Sequence, residues 1–439
     1  MLRTENGERA QLDDVAAERL RTRQSGVPVS VDALDVELIE AGLLVVDDLS
    51  DALVEQRRAR TRHRRTSKGQ LVVMPTERCD LRCTYCYETF ERGGMAPELV
   101  AGLQTYLIDA VSRHDRFDLA WFGGEPLLQF TTVRDVSRTF RQAAEARGID
   151  HVISMTTNGH RLTRSRAEQL DGLIDVYQIT LDGPRVVHDS RRVNIRGGGT
   201  YDRILANVET LLQCSTSEVT LRINMDPSNE SESDKIIAWI RDDLRVRFHS
   251  FLERIDIHIV ATWDASTTSI DGICLRDAGL ARGWLSVREA ESAMRGSSIE
   301  EDLAQTMSTP GSRSCYAASP HSYVIGADGR AFKCSVAFDL DENHVGQLHA
   351  DGTLTVDEDR ERLWIGETSE SDPVCGRCSF STACEGSFCP LVRIQTGQRP
   401  CPTEKTFAPQ ILDRSILHGN ARYVSIPTET ITTRGGSTR

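Results

Sequence analysis

Three cysteines lie close together in the first quarter of the chain: Cys79, Cys83 and Cys86, at spacings of four and three residues. Three thiolates on one tight loop can hold three corners of an iron-sulfur cube, which leaves the fourth iron open to another molecule. A structural zinc site is the alternative, but zinc normally takes four protein ligands, and no nearby His or Cys completes such a set. The spacing therefore predicts a 4Fe-4S cluster with one open iron, where chemistry could start.

The CxxxCxxC spacing, with the aromatic Tyr85 directly before the last cysteine, resembles the cluster loop of radical S-adenosylmethionine (radical SAM) enzymes. In that family the open iron chelates the methionine part of SAM, and reduction splits SAM to give a 5'-deoxyadenosyl radical. The resemblance implies that SAM and a 4Fe-4S cluster are cofactors and that Tyr85 packs against the adenine. An iron-sulfur electron-transfer or scaffold protein is the non-enzymatic alternative.

Residues 67–262 alternate between strand-like and helical patterns. The helical stretches include 97–111, 133–147 and 201–212, and the strand-like runs lie at 71–74, 119–122, 152–156, 176–181, 219–224 and 255–260. Six strands alternating with helices indicate a parallel sheet built from right-handed crossover units. We therefore expect an α/β fold with a partial (β/α)6 TIM-like barrel, as the resemblance also implies. Active sites of such barrels lie at the carboxyl ends of the strands.

The sequences that follow the predicted strands carry further motifs. Gly123-Gly124-Glu125-Pro126, after the second strand, resembles the GGEP motif of the family, which implies that Glu125 accepts hydrogen bonds from the SAM ammonium group. The third and fourth strands end in Thr156-Thr157-Asn158-Gly159 and Thr180-Leu181-Asp182-Gly183-Pro184, which resemble strand ends that approach the SAM methionyl and ribose groups. Asn-Gly and Asp-Gly turns without any ligand contact are the alternative for these two.

Arg222 and Asn224 alternate on the fifth strand, so their side chains face the same side. If that side is the barrel interior, Arg222 could pair with the SAM carboxylate. Earlier in the chain, a run of three glycines at 197–199 follows His188, Asp189, Arg191 and Arg192. That segment resembles one that is common in peptide- and protein-modifying members of the family.

Seven more cysteines lie between residues 315 and 401. Thirteen residues separate Cys315 from Gly329, and four more precede Cys334. This order resembles the SPASM extension, which carries auxiliary clusters, except that four residues rather than three separate Cys384 from Cys389. The resemblance implies two auxiliary 4Fe-4S clusters, one held by Cys375, Cys378, Cys384 and Cys401, and the other by Cys315, Cys334 and Cys389 with one iron open. Two zinc sites are the alternative.

The 439 residues provide enough chain for two or three domains. Residues 1–66 look like a small helical or winged-helix-like unit, with helices near 13–22 and 31–41, a strand at 42–46 and a basic run at 57–65. A polar linker is expected at 263–310, the cysteine-rich domain at 311–412 and a partly disordered tail at 413–439. The N-terminal unit could bind a leader peptide or cap the barrel.

Composition limits the classes of function. The hydrophobic and charged fractions, 39% and 27%, are ordinary for a globular protein, and no apolar run is long enough for a membrane span. A net charge of -13 argues against binding to nucleic acid or to anionic membranes. Twelve cysteines without a secretory signal indicate metal ligands in a cytoplasmic protein.

These features predict a radical SAM oxidoreductase. Members with the SPASM extension act on peptides or proteins, so the resemblance implies maturation of a ribosomally made peptide through a thioether or carbon-carbon crosslink, with a flavodoxin- or ferredoxin-type reductant. Anaerobic sulfatase maturation is an alternative, although those enzymes use an Asp as a base at the position where this chain has Ser335. Dehydrogenation of a small alcohol is another.

Overall fold

The computed structural model describes residues 67–225, 229–261, 288–365 and 372–411, where the last range lacks 377, 379, 387, 399, 403, 406, 409 and 410. It also describes short segments at 10–12, 14–24, 35–36 and 422–424. Near the N-terminus, strand β1 (Ala10–Leu12) precedes helix α1 (Asp14–Gln24), close to the predicted helix at 13–22. β1 pairs in parallel with a strand at 422–424, so part of the predicted tail is ordered against the N-terminal unit. The strand predicted at 42–46, the basic run and most of the helix at 31–41 lie outside the described residues.

The centre of the molecule is the predicted partial barrel. Six parallel strands follow one another in the sheet in chain order, as the sequence predicted. These strands are β2 (Lys68–Val73), β4 (Arg116–Trp121), β5 (Ile153–Thr157), β6 (Val176–Thr180), β8 (Glu218–Met225) and β9 (Ile255–Ala261). Two short strands, β3 (Leu81–Cys83) and β7 (Arg192–Asn194), form a separate antiparallel pair.

Helices cover the outer face of the sheet. They are α2 (Pro97–Ala110), α3 (Phe130–Arg147), α4 (Arg164–Leu170), α5 (Arg185–Arg191), α6 (Tyr201–Cys214) and α7 (Ser233–Trp239). In α3, Val133, Val136, Phe140 and Ala144 are buried, at the spacing of one helical face. They pack against alternate strand residues such as Trp121 in one continuous core. This packing leaves the carboxyl ends of the strands to form the site.

A seventh parallel strand extends the barrel sheet, and it was not predicted. β10 (Ser322–Ile325) pairs with β2 and begins an antiparallel run of β11 (Arg330–Phe332), β12 (His344–Leu348) and β13 (Leu354–Val356), so the sheet has ten strands. The turn after β12 packs closely on the barrel, because a Cβ at Gly102 of α2 would lie 2.3 Å from the His349 carbonyl oxygen. The cysteine-rich region is thus built directly onto the first barrel strand.

The described part of the predicted linker is helical. Residues 288–295 are helical, and α8 (Ile299–Ser308) begins with a capping box in which Ser298 and Glu301 bond each other's backbone N–H groups. α8 packs in a second small core with Phe380, Ala383, Phe407 and Ile411. α8 therefore belongs to the C-terminal region, whereas residues 288–295 pack on the barrel core through Met294. The Ser-x-x-Glu pattern at 298–301 could have predicted the start of α8. Cys274 and the rest of 262–287 lie outside the described residues.

The C-terminal region also contains four short helices. They are α9 (Glu358–Ile365), α10 (Pro373–Gly376), α11 (Ser381–Cys384) and α12 (Pro390–Thr396), and the strand that pairs with β1 is β14 (Arg422–Val424). Across the described residues, no helix combines the length and the apolar character that crossing a membrane requires.

Candidate active site

The cysteine loop follows β2 directly and rests on the segment at 191–195. β3, which ends at Cys83, pairs with β7 so that Cys83 lies opposite Arg192. The Thr84 N–H donates to the Arg191 carbonyl at 2.9 Å, and the Ile195 N–H donates to the Asp80 carbonyl at 3.0 Å. The segment that resembled one of peptide-modifying enzymes therefore supports the cysteine loop from behind.

Two adjacent glycines let the turn after β4 approach the cysteine loop. A Cβ at Gly124 would lie 2.2 Å from the Glu77 carbonyl oxygen, and Gly123 has a φ of +108°. The Gly124 N–H donates to the Thr76 carbonyl at 3.1 Å, and the Glu125 N–H donates to the Arg78 carbonyl at 2.9 Å. The glycines are thus required first for contact between two backbones, and both also line the cavity described below.

Glu125 is fully buried and bonded inside the protein. Its carboxylate accepts hydrogen bonds from the backbone N–H groups of Leu127 and Asn158 at 2.9 and 2.8 Å, and from the Thr157 hydroxyl at 2.8 Å. Burial raises its pKa to about 7 against these hydrogen bonds, which act to lower it. The carboxylate joins the ends of β4 and β5 and does not line the cavity. The SAM contact expected for Glu125 from the motif stays a prediction.

Tyr85 is held by a polar network on the side of β6 and β8. Its hydroxyl donates to Asp182 at 2.5 Å and accepts from Arg192 and Asn224 at 2.6 and 3.1 Å. The Arg191 guanidinium lies 4.9 Å from the centre of the Tyr85 ring. Asp182 is fully buried and also accepts from the Asn224 N–H at 3.1 Å. Asp182 therefore fixes Tyr85 from behind the cavity wall, where the sequence had suggested a contact with ribose.

A second network fixes the start of the loop. The Asn158 side-chain amide donates to Asp80 at 2.9 Å and to the Cys79 sulfur at 3.5 Å. Asp80 also pairs with His160 and Arg161 at 3.0 and 2.9 Å. Burial acts to raise the pKa of Asp80, but the hydrogen bonds from Asn158 and His160 and the charge of Arg161 outweigh it and lower the pKa. The end of β5 thus holds Cys79 in place.

These elements surround a cavity of about 250 Å³ at the carboxyl ends of the strands. The three cysteines line it with seven other residues that the sequence singled out, namely Tyr85, Gly123, Gly124, Thr157, Asn158, Arg222 and Asn224. Arg222 and Asn224 do face the barrel interior, and the Arg222 Nε donates to the Asn224 oxygen at 2.8 Å. Glu125, Pro126 and Asp182 stand behind the cavity wall.

The family comparison agrees with this geometry. Residues 73–240 match the model of the radical SAM superfamily. The barrel is a radical SAM domain. Members of that superfamily are enzymes, and the match implies SAM and a 4Fe-4S cluster as the cofactors of this domain.

The chain is similar to two curated relatives over part of their length. Pre-heme d1 synthase of Dinoroseobacter shibae is 28% identical over 181 residues, which cover 41% of this chain and 42% of that protein. GTP 3',8-cyclase of Aeromonas hydrophila subsp. hydrophila is 26% identical over 223 residues, which cover 48% and 60%. The chain thus spans less than two thirds of either relative.

Among solved structures, the fold is similar to anSMEcpe with bound AdoMet. The histidine-tagged form gives a TM-score of 0.57 at 15% identity, covering 80% of this chain and 93% of that one. Native anSMEcpe with bound AdoMet and Kp18Cys peptide gives 0.55 at 14% identity, covering 80% and 99%. At this identity the similarity is one of fold.

The radical SAM domain also contributes cavity residues to which the sequence assigned no cofactor contact. These are Leu81, Tyr87, Glu88, Phe122, Thr156, Gln178, Thr180 and Arg192. Gln178 and Thr180 alternate on β6, so the period of the strand could have revealed them. For Glu88 we find no such signal. One Glu88 carboxylate oxygen is buried without a hydrogen-bond partner, and burial followed by repulsion from Glu77 raises the pKa of this group to about 7.

The C-terminal region forms the remaining wall of the cavity. Ser335 and Val336, which directly follow Cys334, line the same cavity as the three loop cysteines. Tyr316, next to Cys315, accepts a hydrogen bond from the Ser335 N–H at 2.9 Å. The domain that carries the other cysteines is therefore part of the candidate active site, although periodicity gave no signal for Ser335 as a cavity residue.

Six of the seven C-terminal cysteines fall into two neighbourhoods. Cys315, Cys334 and Cys389 are close enough for their charges to influence one another. Cys378 and Cys401 both hydrogen-bond the Lys405 ammonium group. Cys375 and Cys378 lie one turn apart, with the Cys378 N–H donating to the Cys375 carbonyl at 3.1 Å. The extra residue before Cys389 is accommodated where Glu385 and Gly386 both take left-handed conformations, with φ of +53° and +71°.

The donor groups fit iron-sulfur clusters. All eleven cysteines in the described ranges are free thiols. Burial raises the pKa of Cys79 and Cys334 to about 12 and that of Cys315 to about 11, so a bound metal must supply the positive charge that keeps them as thiolates. No three His, Cys, Asp or Glu side chains of the described residues converge to hold a single metal ion. A cluster distributes its ligands over separate iron atoms and has no need of such convergence.

Proposed function

We propose that this enzyme uses SAM and a 4Fe-4S cluster at Cys79, Cys83 and Cys86 to modify a ribosomally made peptide oxidatively, by a thioether or carbon-carbon crosslink. The observation that carries the proposal is the shared cavity, which has the open-iron cysteine loop on one side and Ser335 and Val336 of the cysteine-rich region on the other. This shared lining supports a reaction in which radical chemistry and electron removal occur near each other.

The residues of the radical SAM domain bind and orient the cofactors. When bound, SAM and the first cluster supply a 5'-deoxyadenosyl radical that removes a hydrogen atom from an unactivated C–H bond. Arg222 offers a cation to the SAM carboxylate from the cavity wall. Asn158, anchored by Asp80, holds the Cys79 sulfur. The Tyr85 hydroxyl donates to Asp182, and the Arg191 guanidinium lies over the Tyr85 ring. These two contacts orient the ring for the adenine.

A crosslink removes two hydrogens from the peptide, one as a hydrogen atom and one as a proton and an electron. We assign the electron to auxiliary 4Fe-4S clusters, one at Cys315, Cys334 and Cys389 and one at Cys375, Cys378, Cys384 and Cys401, as in a SPASM domain. Glu88 is suited to accept the proton, because it lines the cavity and one of its oxygens has no hydrogen-bond partner. A flavodoxin- or ferredoxin-type protein would supply the electron for SAM cleavage.

The peptide substrate is supported by a structure of similar fold that holds a peptide, native anSMEcpe with Kp18Cys. Anaerobic sulfatase maturation, which the sequence resemblance also allowed, is the second candidate. In that reaction an Asp directly after the second auxiliary cysteine would act as the base. Here Ser335 occupies that position, and its backbone N–H donates to the Tyr316 hydroxyl. A serine hydroxyl is a poor base, so we rank crosslinking first. Small alcohols are the third candidate.

The proposal is tested by anaerobic co-expression of the chain with each short peptide encoded beside its gene, followed by mass spectrometry of the peptide. We expect a loss of two hydrogens with the wild type and none with Cys83→Ala. Formation of 5'-deoxyadenosine is measured in the same cultures, so that a silent enzyme and a wrong substrate can be told apart. Cys214→Ala serves as the matched control, because Cys214 lies at the end of α6 away from both cysteine groups.

Two results would contradict the proposal. Formation of 5'-deoxyadenosine with no mass change in any peptide would reject the peptide substrate and turn the search to sulfatases or alcohols. SAM cleavage that persists in Cys83→Ala would reject the assignment of the cysteine loop itself.

A further inference from the structure

Lys405 donates to cysteine sulfur atoms. Its ammonium group lies 3.7 Å from the Cys401 sulfur and also hydrogen-bonds Cys378. Both cysteines belong to the set assigned above to one auxiliary cluster. The chain has only four lysines against 48 arginines, so a lysine at this point is not a generic basic residue. A compact ammonium with three donors can bridge two sulfur atoms, which a planar guanidinium does less readily.

The neighbouring packing holds Lys405 at this position. Phe407, Ala408 and Ile411, just after it, are buried in the second core, and Cys378 packs against that same core. The adjacent carboxylate, Glu404, is taken up by arginines, at 2.6 Å from Arg313 and 3.8 Å from Arg288. Glu404 therefore does not neutralise the ammonium, whose charge is left to the sulfur atoms.

The other cysteine neighbourhood contains a lysine whose charge is compensated. Lys333 is fully buried, and its charge acts on Cys315. Its ammonium, however, donates to the Ser319 carbonyl at 2.6 Å and lies 3.6 Å from the Glu361 carboxylate. The charge of Lys333 is thus partly offset by a carboxylate, whereas the Lys405 ammonium contacts the Cys401 sulfur.

We propose that Lys405 is a redox-tuning residue that raises the reduction potential of the cluster held by Cys378 and Cys401. A cluster gains one negative charge on reduction, and hydrogen bonds to its sulfur ligands stabilise that reduced form. The uncompensated ammonium makes this cluster easier to reduce than the one at Cys315, Cys334 and Cys389. This inference rests on the proposed function, because it requires a cluster at these cysteines.

The test is an EPR-monitored redox titration of the full chain with reconstituted clusters, in the absence of SAM and substrate. Lys405→Gln should move one reduction step to lower potential and leave the others in place, and Lys405→Arg should restore part of the shift. The step that moves should be the one missing from Cys378→Ala. The matched control is Lys235→Gln, which removes the same charge from an exposed lysine paired with Glu232.

The outcomes separate this inference from the proposed function. If iron analysis and EPR show all clusters loaded and Lys405→Gln shifts no step, or shifts every step as Lys235→Gln does, the tuning role is rejected and the proposed function stands. If Cys378→Ala removes no signal and no iron, there is no cluster at these cysteines and both proposals fail.

Discussion

The two cysteine regions of this enzyme are built in different ways. The first three cysteines lie on one loop, and the ends of β4, β5, β6 and β8 fix that loop through buried polar contacts such as Glu125 with Asn158 and Tyr85 with Asp182. The seven C-terminal cysteines lie on separate segments of the chain. Cys315, Cys334 and Cys389 pack at the main core, and Cys378 packs at the second, smaller core. The first site is therefore shaped by a local motif and hydrogen bonds, and the second by packing at long range.

The charges near the thiols show a similar contrast. Burial raises the pKa of Cys83, and the nearby Arg192 opposes that effect. Arg192 is itself bound to the Tyr85 hydroxyl, so its charge is embedded in the first network. In the C-terminal region the cations are Lys333, which is paired with a carboxylate, and Lys405, which is bonded to sulfur. The two regions thus place cations near their thiols, but they compensate those charges differently.

Replacing one cysteine in each region should separate SAM cleavage from product formation. This is the largest effect that we predict. We expect Cys83→Ala to abolish SAM cleavage, because two thiolates cannot hold the first cluster. Cys389→Ala should keep SAM cleavage without substrate largely intact and stop product formation, because it acts on electron removal alone. The measurement is 5'-deoxyadenosine and modified peptide in parallel anaerobic assays. Normal turnover by Cys389→Ala would show that the auxiliary cluster is not on the electron path and that the two cysteine regions do not differ in function as proposed.

A methyl group added to a glycine in each region should have unequal effects on stability. Gly124→Ala should lower the free energy of unfolding by about 3 kcal/mol, because its Cβ would overlap the carbonyl oxygens of Glu77 and Arg78 and neither backbone can move away. It should also reduce the iron bound at the first site. Both effects are read from urea denaturation of the apo protein and from iron analysis after reconstitution.

The control comes from the cysteine-rich region. Gly397 ends α12 with a φ of +66°, and a Cβ added there would enter open space, so Gly397→Ala should cost only about 1 kcal/mol of backbone strain. Equal losses at the two positions would show that the close approach at Gly124 does not stabilise the cysteine loop.

The sequence predicted the elements that depend on local pattern. The six barrel strands and three of the helices follow from periodicity, which does not need the fold to be known. The ligand roles of the ten cysteines stay predictions. β10 was missed because a four-residue strand carries little periodic signal, and its pairing with β2 joins residues far apart in the chain. The helical part of the linker was missed because α8 is short and its buried face meets residues 380–411, which sequence alone does not bring near.

The composition of the candidate site was predicted from the sequence, and the SAM contacts expected for Glu125 and Asp182 stay predictions. Glu125 and Asp182 follow strands, as ligand-binding carboxylates do, yet both are fully buried and bonded to other strand ends. Spacing along the chain cannot distinguish a carboxylate that faces the cavity from one that braces its wall. Conversely, Glu88 faces the cavity without belonging to any motif, because its position depends on how the cysteine loop folds back.

The last effect that we predict concerns this bracing role of Glu125. Its raised pKa, about 7, means that the folded protein holds a proton that the unfolded chain loses above about pH 4.5. Its contribution to stability is therefore fully present below pH 4.5 and is lost as the pH rises through 7, by at most roughly 3 kcal/mol. Glu125→Gln cannot ionise, so the difference in free energy of unfolding between wild type and variant should decline over that window. Glu98→Gln, on the exposed side of α2, should leave the wild-type slope unchanged. Parallel curves for wild type and Glu125→Gln would mean that the three hydrogen bonds outweigh burial and that Glu125 braces the loop as an anion throughout.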